Sequence, residues 1–219
     1  MKFLKRPGLI IFLIILGLIS IKINVLNAQE PDVTYPFEDR IKSIAVIPFS
    51  TKPGVSIYDP VSIVSPNERL LTLALYEALI TEVTTAKVLP IRASDNEFIE
   101  IKTENPEYYY KKAALEVGKS LGADAVLVGV ITEYRERKGS DYGVESPASV
   151  AFSVQLYNTE TKKLLWESYF SETQQALTDN VFEIKKFFKR GARWIPVDEL
   201  AKEGAREAAL RINKYLLEN

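Results

Sequence analysis

The chain has no cysteine and no histidine among its 219 residues. Without histidine there is no Ser-His-Asp or Cys-His nucleophilic site. Without either residue there is no zinc site of the usual kind, and without cysteine no disulfide and no thiol redox chemistry. Charge of one sign is lacking too: 28 basic residues meet 29 acidic ones, a net of -1. That balance gives no general reason to expect nucleic acid or an acidic membrane as partner. No internal repeat and no low-complexity tract occurs. The composition, 47% hydrophobic and 26% charged, is that of a globular protein. No cofactor and no metal is expected.

What is present begins with an address. Lys2, Lys5 and Arg6 precede an apolar run from Leu9 to Ile21, closed by Lys22. The run is shorter than the roughly 20 residues that span a bilayer and fits the apolar core of a signal peptide. Cleavage is expected after Ala28. The rival reading is an uncleaved anchor over residues 9–21, lengthened by snorkelling of Lys22. Four basic residues fall before residue 29, so the exported body has 24 basic and 29 acidic residues, a net of -5. A body of this length can bury a core without disulfides, and lacking a thiol suits an oxidising compartment.

Residues 29–40, rich in Pro, Asp and Glu, read as a spacer, and residues 41–219 as one domain. The sequence predicts a first strand over Ser43–Phe49, with Ile44, Ala45, Val46 and Ile47 as an apolar run covered on both faces. Thr51 to Ile63 reads as a loop. Ser65-Pro66-Asn67-Glu68 is a capping box with proline at the first helical position, opening a helix to about Val83. A short strand follows at Lys87–Ile91. Ser94-Asp95-Asn96-Glu97 repeats the capping pattern and predicts a short helix. Asn105-Pro106 opens a longer one that ends at Gly122, which tolerates a left-handed conformation. Ala125–Tyr134 is the next strand and Glu136–Pro147 a polar loop. Val150, Phe152, Val154 and Leu156 alternate with Ala151, Ser153, Gln155 and Tyr157. After a polar turn, Lys163–Phe170 returns with Leu164, Trp166 and Phe170 on one side, forming a hairpin. A helical segment near Asn180–Arg190 precedes a long helix from Val197 to Leu217, with Ala201, Ala205, Ala208, Ile212 and Tyr215 inward. The order β-α-β-α-β-β-β-α predicts an α/β (α+β) fold, a single mixed sheet with helices packed on it.

Candidate chemistry is thin. Gly118-Lys119-Ser120 resembles the tail of a phosphate loop, but Ala113 stands where its first glycine belongs and the trio closes a helix. Asp32, Glu38, Asp39, Asp141 and Glu145 could pair for carboxylate hydrolysis, although nothing fixes a separation between them. Ser50 and Lys52 allow a Ser-Lys pair just past the first strand. These define the alternative of a periplasmic hydrolase. A membrane-tethered structural protein is the other.

Three groups are candidate partner contacts. Tyr108, Tyr109 and Tyr110 open a helix, and successive helical residues point about 100° apart, so at least one ring must be exposed. Arg135 and Arg137, with Tyr142 beyond them, follow a strand. Lys185, Lys186, Lys189, Arg190, Arg193 and Trp194 form a basic, aromatic run that could meet anionic lipid or cell-wall polymer, or simply close the core under wet cations.

Ile44-Ala45-Val46-Ile47-Pro48-Phe49, Gly122-Ala123-Asp124 with the strand after it, and Leu156 to Trp166 together carry a resemblance. The chain resembles the α/β domain of bacterial envelope lipoproteins: the curli-secretion channel lipoprotein (CsgG-like), penicillin-binding-protein activator lipoproteins and the TolB amino-terminal domain. The resemblance covers about Ile41 to Leu217. It implies a non-enzymatic envelope module that binds an envelope protein or itself. The missing cysteine departs from that pattern and excludes the lipid anchor. Glu136–Pro147 is too short, and Arg92–Asn105 lacks the alternation, for pore-forming hairpins.

Overall fold

The computed structural model describes residues 40–51, 65–105, 108–139, 144–174 and 194–219, and Arg40–Asn219 pack as one unit. The leader, the spacer up to residue 39, most of the loop after the first strand, Tyr142 and the helical segment near Asn180–Arg190 lie outside the described residues.

Five strands form one mixed sheet, in the order β2-β1-β3-β6-β7. They are β1 (Ser43–Val46), β2 (Lys87–Val88), β3 (Ala125–Arg135), β6 (Ser149–Asn158) and β7 (Leu164–Thr173). β2, β1 and β3 run parallel, and β6 and β7 are antiparallel additions. The helices are α1 (Pro66–Glu82), α2 (Ile91–Glu104), α3 (Tyr110–Ser120) and α4 (Val197–Glu218).

The apolar runs explain the layering. Alternate residues of β1 and β3 feed two separate cores. Ile44, Val46, Leu127 and Ile131 join α1, α4, Phe152 and Leu156 on one face. Ala45, Ile47, Val126 and Val128 join Phe98, Tyr110, Ala113 and Val117 from α2 and α3 on the other. Each fully buried Leu or Ile contributes about 1.5–3 kcal/mol. Small residues let α4 approach closely: a Cβ on Gly204 would lie 2.6 Å from the Phe170 ring.

Helix ends follow local chemistry in two places. Ser65 and Glu68 form the expected capping box, with Pro66 at the first turn. Gly122, at φ +62°, ends α3 as expected. The Ala123 N–H donates to the Gly118 carbonyl at 2.9 Å and the Gly122 N–H to Lys119 at 3.2 Å, satisfying two orphan carbonyls.

Four expectations need correction. α2 starts at Ile91, after Pro90, so Ser94 is interior and its buried hydroxyl finds no partner among the described residues. The stripe Ile91, Phe98 and Ile101 packs toward the sheet, and this burial overrides the capping pattern. Asn105 caps the C-terminus of α2 and opens no helix; α3 begins at Tyr110. The loop after β3 contains a small hairpin, β4 (Lys138–Gly139) with β5 (Val144–Ser146). Finally, Tyr157 pairs with Leu164 but Leu156 with Trp166, a bulge at Leu165. The extra residue switches the side-chain parity, so Leu164 is 47% exposed while Leu165 and Trp166 pack on the core.

Candidate functional site

The two ends of the sheet are built differently. At one end, the Asp124 carboxylate accepts from the backbone N–H groups of Lys42 and Ser43 and from the Ser43 hydroxyl, all at 2.9 Å. The Asp124 N–H returns a bond to Ser43 Oγ, and its carbonyl accepts from Thr159 N–H. The β6–β7 turn closes the same end through Asn158, whose side chain accepts from Thr161 N–H. We call this the closed end.

The other end, where β1, β3 and β7 terminate, is the open end. Here lie Thr51 and Ser65, and Gln174 and Ile195, described residues that flank 52–64 and 175–193. The β1–β3 ladder breaks at Pro48-Phe49 and resumes where Ser50 pairs with Val130. Proline has no N–H to give, so the break strands backbone groups inside the protein. Two side chains from opposite layers take them up. Tyr110 donates to the Pro48 carbonyl at 2.6 Å and accepts from Gly129 N–H at 3.2 Å. Thr72 of α1 accepts from Phe49 N–H at 2.8 Å and donates to the Glu68 carbonyl. The Phe49 ring occupies the space a Cβ on Gly129 would need, 2.3 Å away, so this β3 position admits only glycine without rearrangement.

Side chains also tie these flanking residues together. Glu68 accepts from Ser65 N–H with one oxygen and from Thr51 N–H and hydroxyl with the other, at 2.6–2.8 Å. Burial pushes its carboxyl up, but the bonds from Ser65 and Thr51 outweigh that and hold it below the ordinary glutamate value. Gln174 donates its N–H to the Ala148 carbonyl and accepts from the buried Ile195 N–H at 2.9 Å. Glu136 accepts from its neighbour's Arg137 N–H and, at 3.3 Å, from Val197 N–H at the start of α4. Beside it the Tyr134 hydroxyl donates to Asp198 at 2.7 Å. Burial and that carboxylate together push the phenol's ionisation far up.

On the β2 side of the open end, α1 and α2 face each other across a cleft of about 340 Å3. Pro48 and Thr72 form its floor, and Leu73, Ile91, Phe98 and Ile99 its apolar walls. Ile99 is 60% exposed at the rim. Arg69 Nη1 stands 3.7 Å from Asp95 Oδ2 across the gap, and Arg92 lines the same space. Burial raises the Asp95 carboxyl while Arg69 works against it. A second cleft, of about 380 Å3, lies between α2 and α3 beside Tyr108, and a third, of about 530 Å3, between β7 and α4.

The three tyrosines divide as helical geometry requires. Tyr109 is 57% exposed, while the half-buried Tyr108 ring holds Lys112 Nζ 3.5 Å from its centroid. Tyr110 must be struck from the candidate contacts: it is buried at 4% exposure and its hydroxyl serves the ladder break. Arg135 ends β3 and Arg137 follows it, and Trp194 leads into α4, so the fold brings these three to the open end. Arg135 stands 3.4 Å from Glu133. Tyr142, Lys185, Lys186, Lys189, Arg190 and Arg193 lie outside the described residues, as does Lys52, the partner in the Ser-Lys alternative. Gly118-Lys119-Ser120 closes α3, and Gly118 packs against Val126 and Thr159, as a helix end should. The sequence reading missed the α1–α2 cleft. Its signal was the charged residues Arg69, Arg92 and Asp95 placed beside apolar stripes.

Among the described residues, no group of three or more acids could hold a metal ion, and no helix is long and apolar enough to cross a membrane. No family model matches the chain, and no curated protein matches it. Solved structures with a similar path include the PelC dodecamer from Paraburkholderia phytofirmans, with 14% identity over 81% of this chain and 91% of that one, at a TM-score of 0.47. The lipoprotein GNA1162 from Neisseria meningitidis has 18% identity over 69% of this chain and 98% of that one, at 0.42. The LpoB C-terminal domain from Escherichia coli has 14% identity over 65% and 90%, at 0.37.

Proposed function

We propose that this protein is an exported, non-enzymatic interaction module of the bacterial cell envelope, which assists assembly or regulation of an envelope complex by docking. The observation that carries this reading is the construction of the open end. Three polar side chains there hold backbone: Tyr110 the ladder break, Glu68 the N–H groups of Thr51 and Ser65, and Gln174 the N–H of Ile195. Around this stiff frame stand exposed apolar and aromatic groups, Tyr109 and Ile99, of the kind that anchor protein interfaces. The leader pattern at Lys2 to Ala28 supports export.

Site-specific photo-crosslinking in intact cells tests the reading. A photoreactive residue at Tyr109 should give a discrete adduct with an envelope protein or a second copy, and one at buried Ala113 should not. Recovery of uncrosslinked monomer from every exposed open-end position would overturn the proposal.

A further inference from the structure

The α1–α2 cleft carries an unusual charge for this molecule. The body is net acidic, yet two arginines and one aspartate line this space. At 3.7 Å, the Arg69–Asp95 approach is an ion pair but too long for a hydrogen bond, so the guanidinium donors stay unengaged by it. Arg92 has neither an ion pair nor a side-chain hydrogen bond among the described residues. Both arginines are exposed at the rim of the apolar cleft, the Arg69 side chain at 62%, so a carboxylate there gains a charge-assisted but solvent-screened bond. A purely apolar occupant would strip water from the arginines without replacement, and a cationic one would be repelled.

Size narrows the occupant. A space of about 340 Å3 lies at the lower edge of small-molecule pockets, and suits one or two side chains of a peptide segment. The floor is rigid, because the Pro48 carbonyl is bonded to Tyr110 and the next N–H to Thr72.

We propose that this cleft receives a segment of a partner protein in which a large apolar side chain stands beside a carboxylate. The apolar group seats on Leu73, Phe98 and Ile99, and the carboxylate on Arg92 and Arg69. This rests on the interaction-module reading above and assigns the partner's chemistry.

The probe is acetyl-Phe-Glu-amide, titrated into the purified full chain while methyl resonances of Leu73, Ile91 and Ile99 are followed. Those methyls should shift saturably. Arg92→Glu should weaken binding about tenfold, the effect of one close charge pair, and acetyl-Phe-Lys-amide should recover binding to that variant. Asp95→Asn, which frees Arg69, should tighten the original probe about threefold. Absence of saturable shifts, or equal binding of acetyl-Phe-Glu-amide and acetyl-Phe-Gln-amide, overturns the assignment. If the Tyr109 crosslink forms while the probe fails, the cleft assignment falls and the module reading survives. If both fail, both fall.

Discussion

The closed and open ends of the sheet solve one problem by different means. Each must satisfy backbone groups where strands stop. The closed end does so with short local turns and one aspartate, largely at the surface. The open end uses side chains that reach between elements: Tyr110 from α3, Thr72 and Glu68 from α1, and Gln174 from beyond β7. Surface bonds compete with water and contribute little, whereas a buried group left unpaired costs its full desolvation. The open end therefore depends far more on individual residues, and the exposed Tyr109 and Ile99 stand beside it.

Mutations can break this contrast, and the largest effect belongs to Tyr110. Tyr110→Phe leaves the Pro48 carbonyl and Gly129 N–H without their partner, and should cost about 3 kcal/mol in urea unfolding. Amide exchange at Gly129 should accelerate. A loss under about 0.5 kcal/mol would mean another group takes over. Gln174→Leu strands the buried Ile195 N–H and should cost about 2 kcal/mol, with faster exchange in the first turn of α4 and none at Ser43. Simultaneous loosening at both ends would abolish the distinction drawn here.

Glu68→Ala should cost about 1–2 kcal/mol at pH 7, the worth of a capping box with extra bonds. The lowered native pKa gives this contribution a sign. It is complete above the ordinary glutamate value and disappears as pH falls through the native one. Wild-type and Glu68→Ala unfolding curves, separate at neutral pH, should therefore converge in acid; a constant gap would reject the assignment. Asp124→Ala is the closed-end counterpart. It should cost only about 1 kcal/mol, with faster exchange confined to Lys42 and Ser43.

What could be read in the sequence follows the same division. Ser65-Pro66-Asn67-Glu68 and Gly122 were legible because their partners lie within a few residues. The second task of Glu68, holding Thr51, was not, since its partner lies across a loop. Ser94 misled because a capping pattern looks identical inside a helix when an apolar stripe begins earlier. The parity argument at Tyr108-Tyr109-Tyr110 required an exposed ring and left open which would be buried. The clue was Pro48, a residue that interrupts a ladder and so calls for a distant hydroxyl. Leu164 turned outward because nothing local signals the bulge at Leu165.

The bonds that Glu68 and Gln174 make have a consequence for descent with modification. They fix the described residues on either side of two interruptions, Thr51 against Ser65 and Gln174 against Ile195, with side chains that belong to the frame itself. Anchors of this kind tolerate inserts of different length, since for a flexible insert each doubling adds only about 0.6 kcal/mol of closure entropy. A lineage could therefore exchange its specificity by grafting new inserts onto an unchanged chassis, while Asp124 at the far pole keeps the register.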